Sequence, residues 1–544
     1  MTQTLEPPTM TTIQNPILTG FHPDPSILRV GDDYYIATST FEWFPGVRIH
    51  HSRDLVHWHT LPAPLRRTQQ LDMRGNPNSC GIWAPCLSHD GERFYLIYTD
   101  VKSWNSGPFK DTHNYMVTTT DIAGEWSDPV YLNSSGFDPS LFHDADGKKW
   151  LLNMRWDHRA GHNQFSGILL QEFDAVSNKL VGDVQNIFAG SAIGLVEGPH
   201  IYQRNGWYYL LTAEGGTSYE HAATLARSRN LHGPYELHPH NPLLTSVGHG
   251  QLEIKKAGHA SLVQTQTDQW YLAHLCGRPL EAGLERGFCP LGRETALQAV
   301  EWRDDDWLYV KGGGNAPHAQ TPAPDLEPHA WPVPPARDDF DQPALRLEWQ
   351  SLRVPIEDSW LSLTERPGHL RLRGRESLVS QFDQSLIGRR LQDFHATATT
   401  RMEFEPQHAQ QMAGIAAFYD SQHWVYLRVS KDEKLGKTLS LLVLDAGRYS
   451  EPLETEICIE GWNAVYLRVQ FQRQHFHFEY SSDGAAWQRI GRDFETYKLS
   501  DDYCNGLSFT GAFIALCAQD LAGTRMHADF DFFEYTAAHS TSSH

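Results

Sequence analysis

The chain has no run of apolar residues approaching the ~18 that a membrane-spanning helix requires. Its opening, MTQTLEPPTMTTIQNP, has no basic stretch followed by an apolar core, so no secretory leader is expected. Positive charge is scarce: 45 Lys and Arg face 66 Asp and Glu, a formal balance of −21. That deficit argues against a nucleic acid or a membrane surface as partner, because both demand basic residues. It also disfavours a polyanionic ligand, whereas a neutral ligand such as a sugar meets no barrier. Cysteine is sparse and odd in number, at Cys80, Cys86, Cys276, Cys289, Cys458, Cys504 and Cys517, with no CxxC pair or zinc-knuckle spacing. Reduced thiols in a cytoplasmic protein are the expectation. No HExxH, EF-hand loop or paired-histidine spacing is found, so neither a metal nor another cofactor is expected.

Aromatics and prolines, in contrast, are plentiful. Seventeen Trp, 21 Tyr and 31 Pro tilt the reading toward β-structure, where rings suit pleated, half-buried surfaces and Pro marks turns and edges. A length of 544 residues is too great for one core and suggests two or three domains.

Self-similarity at long period organises the first half. Five segments share one layout: HPDPSILRVGDDYYIATS around Asp24, WAPCLSHDGERFYLIYTD around Ala84, FDPSLFHDADGKKWLLNM around Asp138, VEGPHIYQRNGWYYLLTA around Glu197 and GHASLVQTQTDQWYLAHL around His259. Successive anchors stand 54 to 62 residues apart, and an aromatic opens the second strand of each unit at Tyr34, Phe94, Trp150, Trp207 and Trp270. Gly-Asp, Asp-Gly or Asn-Gly turns separate the two strands in the first four units. A unit of this length holding about four strands is the signature of a propeller blade. Five blades over residues 15–312 would close a ring, with the five anchors converging on its central channel.

Residues 313–336, within KGGGNAPHAQTPAPDLEPHAWPVPPARDD, read as a Gly/Pro-rich linker. Short alternating strands follow, among them HLRLRG at 369–374, HWVYLRVS at 423–430 and AVYLRVQFQ at 464–472. They suggest an antiparallel β-sandwich over 337–538. The fold class is therefore all-β, a five-bladed propeller followed by a sandwich.

Three anchors, Asp24, Asp138 and Glu197, are carboxylates. Burying three acids around one channel costs free energy unless they are used, and their mutual repulsion raises at least one pKa into the range of a proton donor. Hydrolysis of a glycosidic bond needs such a set: one protonated carboxyl for the leaving oxygen and one ionised. When the ionised one activates water, the two stand ~6.5–9.5 Å apart and the anomeric centre inverts. Taken singly, an Asp before Pro is as readily a turn cap. Phe41, Trp43 and Trp83 are placed to face a pyranose ring or to pack in the core, and for Trp43 both readings stand. Arg293, in PLGRET, offers a fork of donors near the end of the fifth blade, and His259 reads as a hydrogen-bonding floor residue rather than a ligand to metal.

The opening NPILTGFHPDPSILRVGDDYYIATSTFEWFPGVRIHHSRDLVHW, followed in order by GIWAP, GFDPSLF, GLVEGPH, GHASL and LGRET, resembles the β-xylosidases of glycoside hydrolase family 43. The likeness continues into FTGAFIALCAQDL at 509–521, which points to the branch with an appended concanavalin- or jelly-roll-like sandwich. The resemblance implies Asp24 as general base, Glu197 as general acid and Asp138 as the residue that tunes the acid. It implies Arg293 as a ligand to a substrate hydroxyl and Phe41, Trp83 and His259 as pocket-lining residues. A loop of the sandwich should bring Phe513 or Phe509 into the pocket, with Phe513 favoured. The implied activity is exo-acting, inverting release of xylose from β-1,4-xylo-oligosaccharides, with α-L-arabinofuranosidase as a side activity and a homodimer or homotetramer as the assembly. An arabinofuranosidase as main activity and a non-catalytic sugar-binding propeller are the alternatives.

Overall fold

The computed structural model describes residues 12–537 apart from Ala282, Gly283, Glu285 and Asn505. The opening stretch 1–11, read above for a leader, and residue 538, taken as the sandwich's end, lie outside the described residues. Five antiparallel sheets follow one another along the chain. Their innermost strands are Ser26–Val30, Gly81–His89, Ser140–His143, Glu197–Arg204 and Lys255–Gln264. Each sheet is drawn from one contiguous segment and has four strands in meander order, with a short fifth strand added to the fourth sheet. The hairpin turns work as the sequence suggests: Gly31, Gly91, Gly147 and Gly206 all have positive φ, and Asp268 takes that role in the fifth blade.

Side chains stitch neighbouring inner strands together. Ser26 Oγ accepts from Leu87 N at 3.0 Å, Ser140 Oγ donates to the Pro199 carbonyl at 2.5 Å, and Ser261 Oγ donates to the Pro25 carbonyl at 2.9 Å. The Ser261 bond joins the fifth blade to the first, so the serine repeated in DPS, DPS and HAS helps to close the ring. Residues 15–22 run along the fifth blade's strand Arg293–Trp302, with Ile17 N donating to Thr295 O and His22 N to Arg293 O.

The segment expected to be a linker is less free than its composition suggests. Gln320–Pro322 pairs with Thr12–Gln14 as a two-stranded sheet. Trp331 lies against His59, ring centroids 3.9 Å apart. Proline and glycine removed the periodic signal without removing the packing.

Beyond it, two large antiparallel sheets face each other. One contains His395–Glu403 beside His527–Ala537, the other Gln411–Asp420 beside Phe513–Asp520. The second sheet is buried on both sides. Ile514, Leu516 and Ala518 enter the core between the sheets, whereas Phe513, Ala515 and Cys517 enter a separate core against the propeller. A strand from the first half of the chain, Trp43–Phe44, joins this sheet by pairing with Gln350–Leu352. Trp43 is wholly buried and stacks on Phe513 at 3.6 Å, which places it in the core and away from any ligand. Among the described residues no helix is long and apolar enough to cross a membrane.

Trp43→Ala is expected to cost about 3–5 kcal/mol, the usual range for emptying a large buried aromatic site. Denaturant unfolding monitored by circular dichroism measures it.

Candidate active site

One backbone device recurs at the top of every inner strand. Asp24, Ala84, Asp138 and His259 have φ of 54°, 27°, 55° and 37°, and in the fourth blade Gly198 (φ 57°) takes this position, one residue after Glu197. Left-handed backbone is uncommon for residues with a Cβ, with short polar side chains among the most tolerant. The chain thus departs from strand geometry at the equivalent point five times, and the anchors meet there. Gly198 N donates to Asp138 Oδ2 at 3.1 Å, and His259 Nδ1 lies 3.9 Å from the same oxygen. Glycine at 198 also eases the packing, because a Cβ there would lie 3.0 Å from the His259 ring, which would have to give.

Asp24 is held from two sides. Ser39 Oγ donates to Oδ2 at 2.6 Å and Arg293 Nη1 to Oδ1 at 3.2 Å. Arg293 also donates to Thr217 Oγ1 at 2.6 Å and, through Nη2, to the Phe509 carbonyl at 3.1 Å. All three acids are at most 8% exposed. Burial, then the charge of Asp24, pushes Glu197 up to about 8, with Arg293 opposing. Asp138 is raised well above the usual carboxylate range by burial, Glu197 and Asp24, against the Gly198 N–H and Arg293. His259 is lowered, chiefly by burial, and so is neutral near pH 7. One arginine cannot balance three carboxylates in so dry a site, so the cluster retains a proton at neutral pH. The arrangement offers an ionised carboxylate, a protonated one and a fixed cation within one cluster.

Residues 13–308 match the sequence profile of glycosyl hydrolases family 43, and residues 337–536 match that of the beta xylosidase C-terminal concanavalin A-like domain. The chain belongs to glycosyl hydrolase family 43. It is 50% identical over 531 residues to a beta-xylosidase of Bacillus subtilis, covering 96% of this chain and 99% of that one. It is also 50% identical to xylosidase/arabinosidase 43B of Humicola insolens, covering 97% and 98%. Among solved structures, a xylan beta-1,4-xylosidase of Bacillus halodurans superposes with a TM-score of 0.94 at 56% identity, covering 96% of this chain and all of that one.

The candidate site includes residues from both halves of the chain. Phe509, not the favoured Phe513, is the sandwich's ring at the site. Its centroid lies 5.5 Å from Trp83 and 5.8 Å from Phe41, with the Arg293 guanidinium 5.1 Å from its face. Phe513 begins a strand whose alternation turns it onto Trp43, whereas Phe509 sits in the preceding loop. Backbones pass so closely here that a Cβ on Gly292 would meet the Thr510 carbonyl at 2.7 Å, and one on Gly511 the Leu291 carbonyl at 2.7 Å. The glycines of LGRET and FTGAF are thus required by one crossing.

Sequence reasoning missed Ser79, which ties this wall together. Its carbonyl accepts from Trp83 Nε1 at 2.8 Å and its hydroxyl accepts from Phe509 N at 2.9 Å. Its own N–H is taken by the buried Glu42 carboxylate at 3.0 Å, and Arg353 N donates to the Glu42 carbonyl at 2.8 Å. Ser39 and Thr217 were also missed, having no repeat or motif to mark them. From Trp83 the aromatic row continues to Trp104 at 4.9 Å and Trp156 at 5.1 Å beyond, with Lys110 Nζ 4.8 Å from the Trp104 ring centroid.

Among the described residues, Asp420, His423 and Cys504 lie close enough to share a metal ion. They belong to the sandwich, and Asp420 and His423 bond to each other at 2.8 Å.

A carboxyl raised by burial stabilises the fold at low pH, where it is neutral, and that contribution is lost as pH rises through its folded value. Asp138→Asn is therefore expected to stabilise the protein at pH 8 by about 1–3 kcal/mol, the gain vanishing toward pH 4. Denaturant unfolding at both pH values checks this.

Proposed function

We propose that this protein is an exo-acting, inverting β-1,4-xylosidase that removes single xylose units from the non-reducing ends of xylo-oligosaccharides. The observation that carries the reading is the burial in one cluster of Glu197, raised by that burial and by the charge of Asp24, with Asp24 fixed by Ser39 and Arg293. Glu197 gives its proton to the glycosidic oxygen as the bond from that oxygen to C1 breaks. Asp24 takes a proton from a water whose oxygen forms the new bond to C1 from the opposite face. Asp138, hydrogen-bonded by Gly198 and itself raised by burial and by the charges of Glu197 and Asp24, takes the role of tuning the acid. Phe41, Trp83 and Phe509 wall the bound xylosyl unit, His259 supports its floor, and Arg293 meets a sugar hydroxyl. The row Trp83, Trp104 and Trp156 supplies apolar faces for the next sugars. The β-xylosidase names of the close relatives support this substrate.

The xylosidase/arabinosidase name of the Humicola relative favours a second reading, release of terminal α-L-arabinofuranosyl groups. Relative kcat/KM on xylobiose and an aryl arabinofuranoside ranks the two activities. A non-catalytic sugar-binding role has less support, because three buried acids at one site are costly to keep unused. The seven unbridged cysteines support a cytoplasmic location, and the reading includes a homo-oligomer, for which scattering in solution is the test.

Proton NMR during the first turnovers on xylobiose is expected to show α-xylose forming ahead of its equilibrium share. Initial β-xylose would refute inversion, and no xylose at all would refute the activity. Glu197→Ala and Asp24→Ala are each expected to lose about 10²–10⁴-fold in kcat. An aryl xyloside with a good leaving group should restore turnover to the Glu197 variant alone. In the wild type, kcat/KM on xylobiose should fall as pH rises through about 8, where Glu197 gives up its proton.

A further inference from the structure

At the junction of the two domains lies a group of buried basic side chains that the proposed chemistry does not use. His22 precedes Asp24 by two residues, Arg48 and His50 share one face of the strand Arg48–Ser52, and Arg390 ends the sandwich strand Ser385–Arg390. His50 Nε2 lies 3.3 Å from His22 Nδ1, the rings edge to face at 4.7 Å. Arg390 Nε donates to the carbonyl of Phe21 at 2.6 Å, which sets its guanidinium beside His22. All four side chains are at most 5% exposed.

The two guanidiniums are poorly satisfied. Arg48 donates to the Leu347 carbonyl and Arg390 to the Phe21 carbonyl, yet Arg48 Nε and Arg390 Nη2 are buried with no partner. Thr38 Oγ1, on the residue directly opposite Arg48 in the hairpin, is unpartnered too. Charge is no better balanced. Among the described residues, Glu348 opposes the charge of Arg48 while Arg389 adds to it, and the charge that acts on Arg390 is that of Arg48, of the same sign. Arginine does not escape burial by losing its proton, and neutral carbonyls or water cannot cancel a net charge. The face of the Arg390 guanidinium is covered by Phe21 and Phe513, whose centroids lie 5.4 and 5.5 Å away, so its edge is what remains for a ligand.

We infer that this junction is a binding site for a small monovalent anion of the halide class, held between the Arg48 and Arg390 guanidiniums with His22, His50 and Thr38 around it. Two buried cations, each with an unpartnered N–H group, match a compact sphere of charge. The bound anion would brace the segment leading into Asp24, since His22 also donates its N–H to Arg293 O and accepts from Thr295 Oγ at 2.5 Å. The inference does not depend on the reaction proposed above.

Thermal unfolding of the full chain at pH 7 and fixed ionic strength tests it, with sodium bromide exchanged stepwise for sodium gluconate. The midpoint should rise and saturate with bromide, as linkage requires of a ligand that binds only the folded state. Chloride should act likewise. Anomalous scattering from bromide-soaked crystals should place a peak between Arg48 and Arg390. R48M should abolish both effects, and should that variant fail to fold, the wild-type peak and titration still decide the matter. Identical midpoints in bromide and gluconate with water alone at the site would overturn the proposal. A response to sulfate and none to halide would overturn it equally.

Discussion

Arg293 donates from one nitrogen to the Asp24 carboxylate and from the other to the Phe509 carbonyl, so a single guanidinium joins the chemistry of the propeller to the backbone of the sandwich. The rest of the site hangs on that fork. Its positive charge opposes the rise in the pKa values of Glu197 and Asp138, and its stem lies where the loops carrying Gly292 and Gly511 cross. Lysine would supply charge without the second directed donor. The pocket's aromatic wall and its carboxylate are thereby fixed relative to each other, which is what positioning a sugar over a nucleophilic water demands.

A cluster of three buried acids with one counter-cation is unstable on its own terms, and its retained proton is the consequence of that cost. Burial raises Glu197 and Asp138, the charge of Asp24 raises both further, and that of Glu197 adds to the rise of Asp138. Hydrogen bonding divides the labour. Asp24 accepts from a hydroxyl and an arginine, whereas Glu197, raised by burial and by the charge of Asp24, holds its proton near neutrality. Stability and catalysis pull in opposite directions here, because the same desolvation that penalises the folded state poises the acid.

How much of this was legible beforehand depends on the physical origin of each signal. The propeller announced itself because each blade must repeat a turn, a strand and an aromatic in phase, and the five anchors were visible as the fixed points of that repeat. Asp24, Asp138 and Glu197 were therefore found together. Ser79, Ser39 and Thr217 were not, since the partners of their side chains are set by the fold and not by the blade repeat, which leaves no period. Phe513 was favoured over Phe509 because both lie in one short motif. What separates them is where the strand starts: it begins at Phe513, whose ring turns onto Trp43, and leaves Phe509 in the loop before it. The stretch 313–336 lost its signal to proline and glycine although Gln320–Pro322 forms a strand.

The assignment of Trp43 exposes why the boundary between the domains is not a line along the chain. FEWFPG belongs by sequence to the first blade, yet Trp43–Phe44 pairs with Gln350–Leu352 and extends a sandwich sheet. That sheet is apolar on both faces, so taking the propeller away would leave Phe418, Phe513 and Ala515 facing water alongside Trp424. Phe41, two residues before that strand, packs against Trp83 and Phe509 in the site itself. Four consecutive residues, Phe41 to Phe44, thus serve the pocket, the junction core and the sheet in turn. A sandwich docked through such a shared strand cannot swing on its linker without breaking β-pairing and core together, which makes the position of Phe509 over the pocket a property of the fold rather than of a mobile lid.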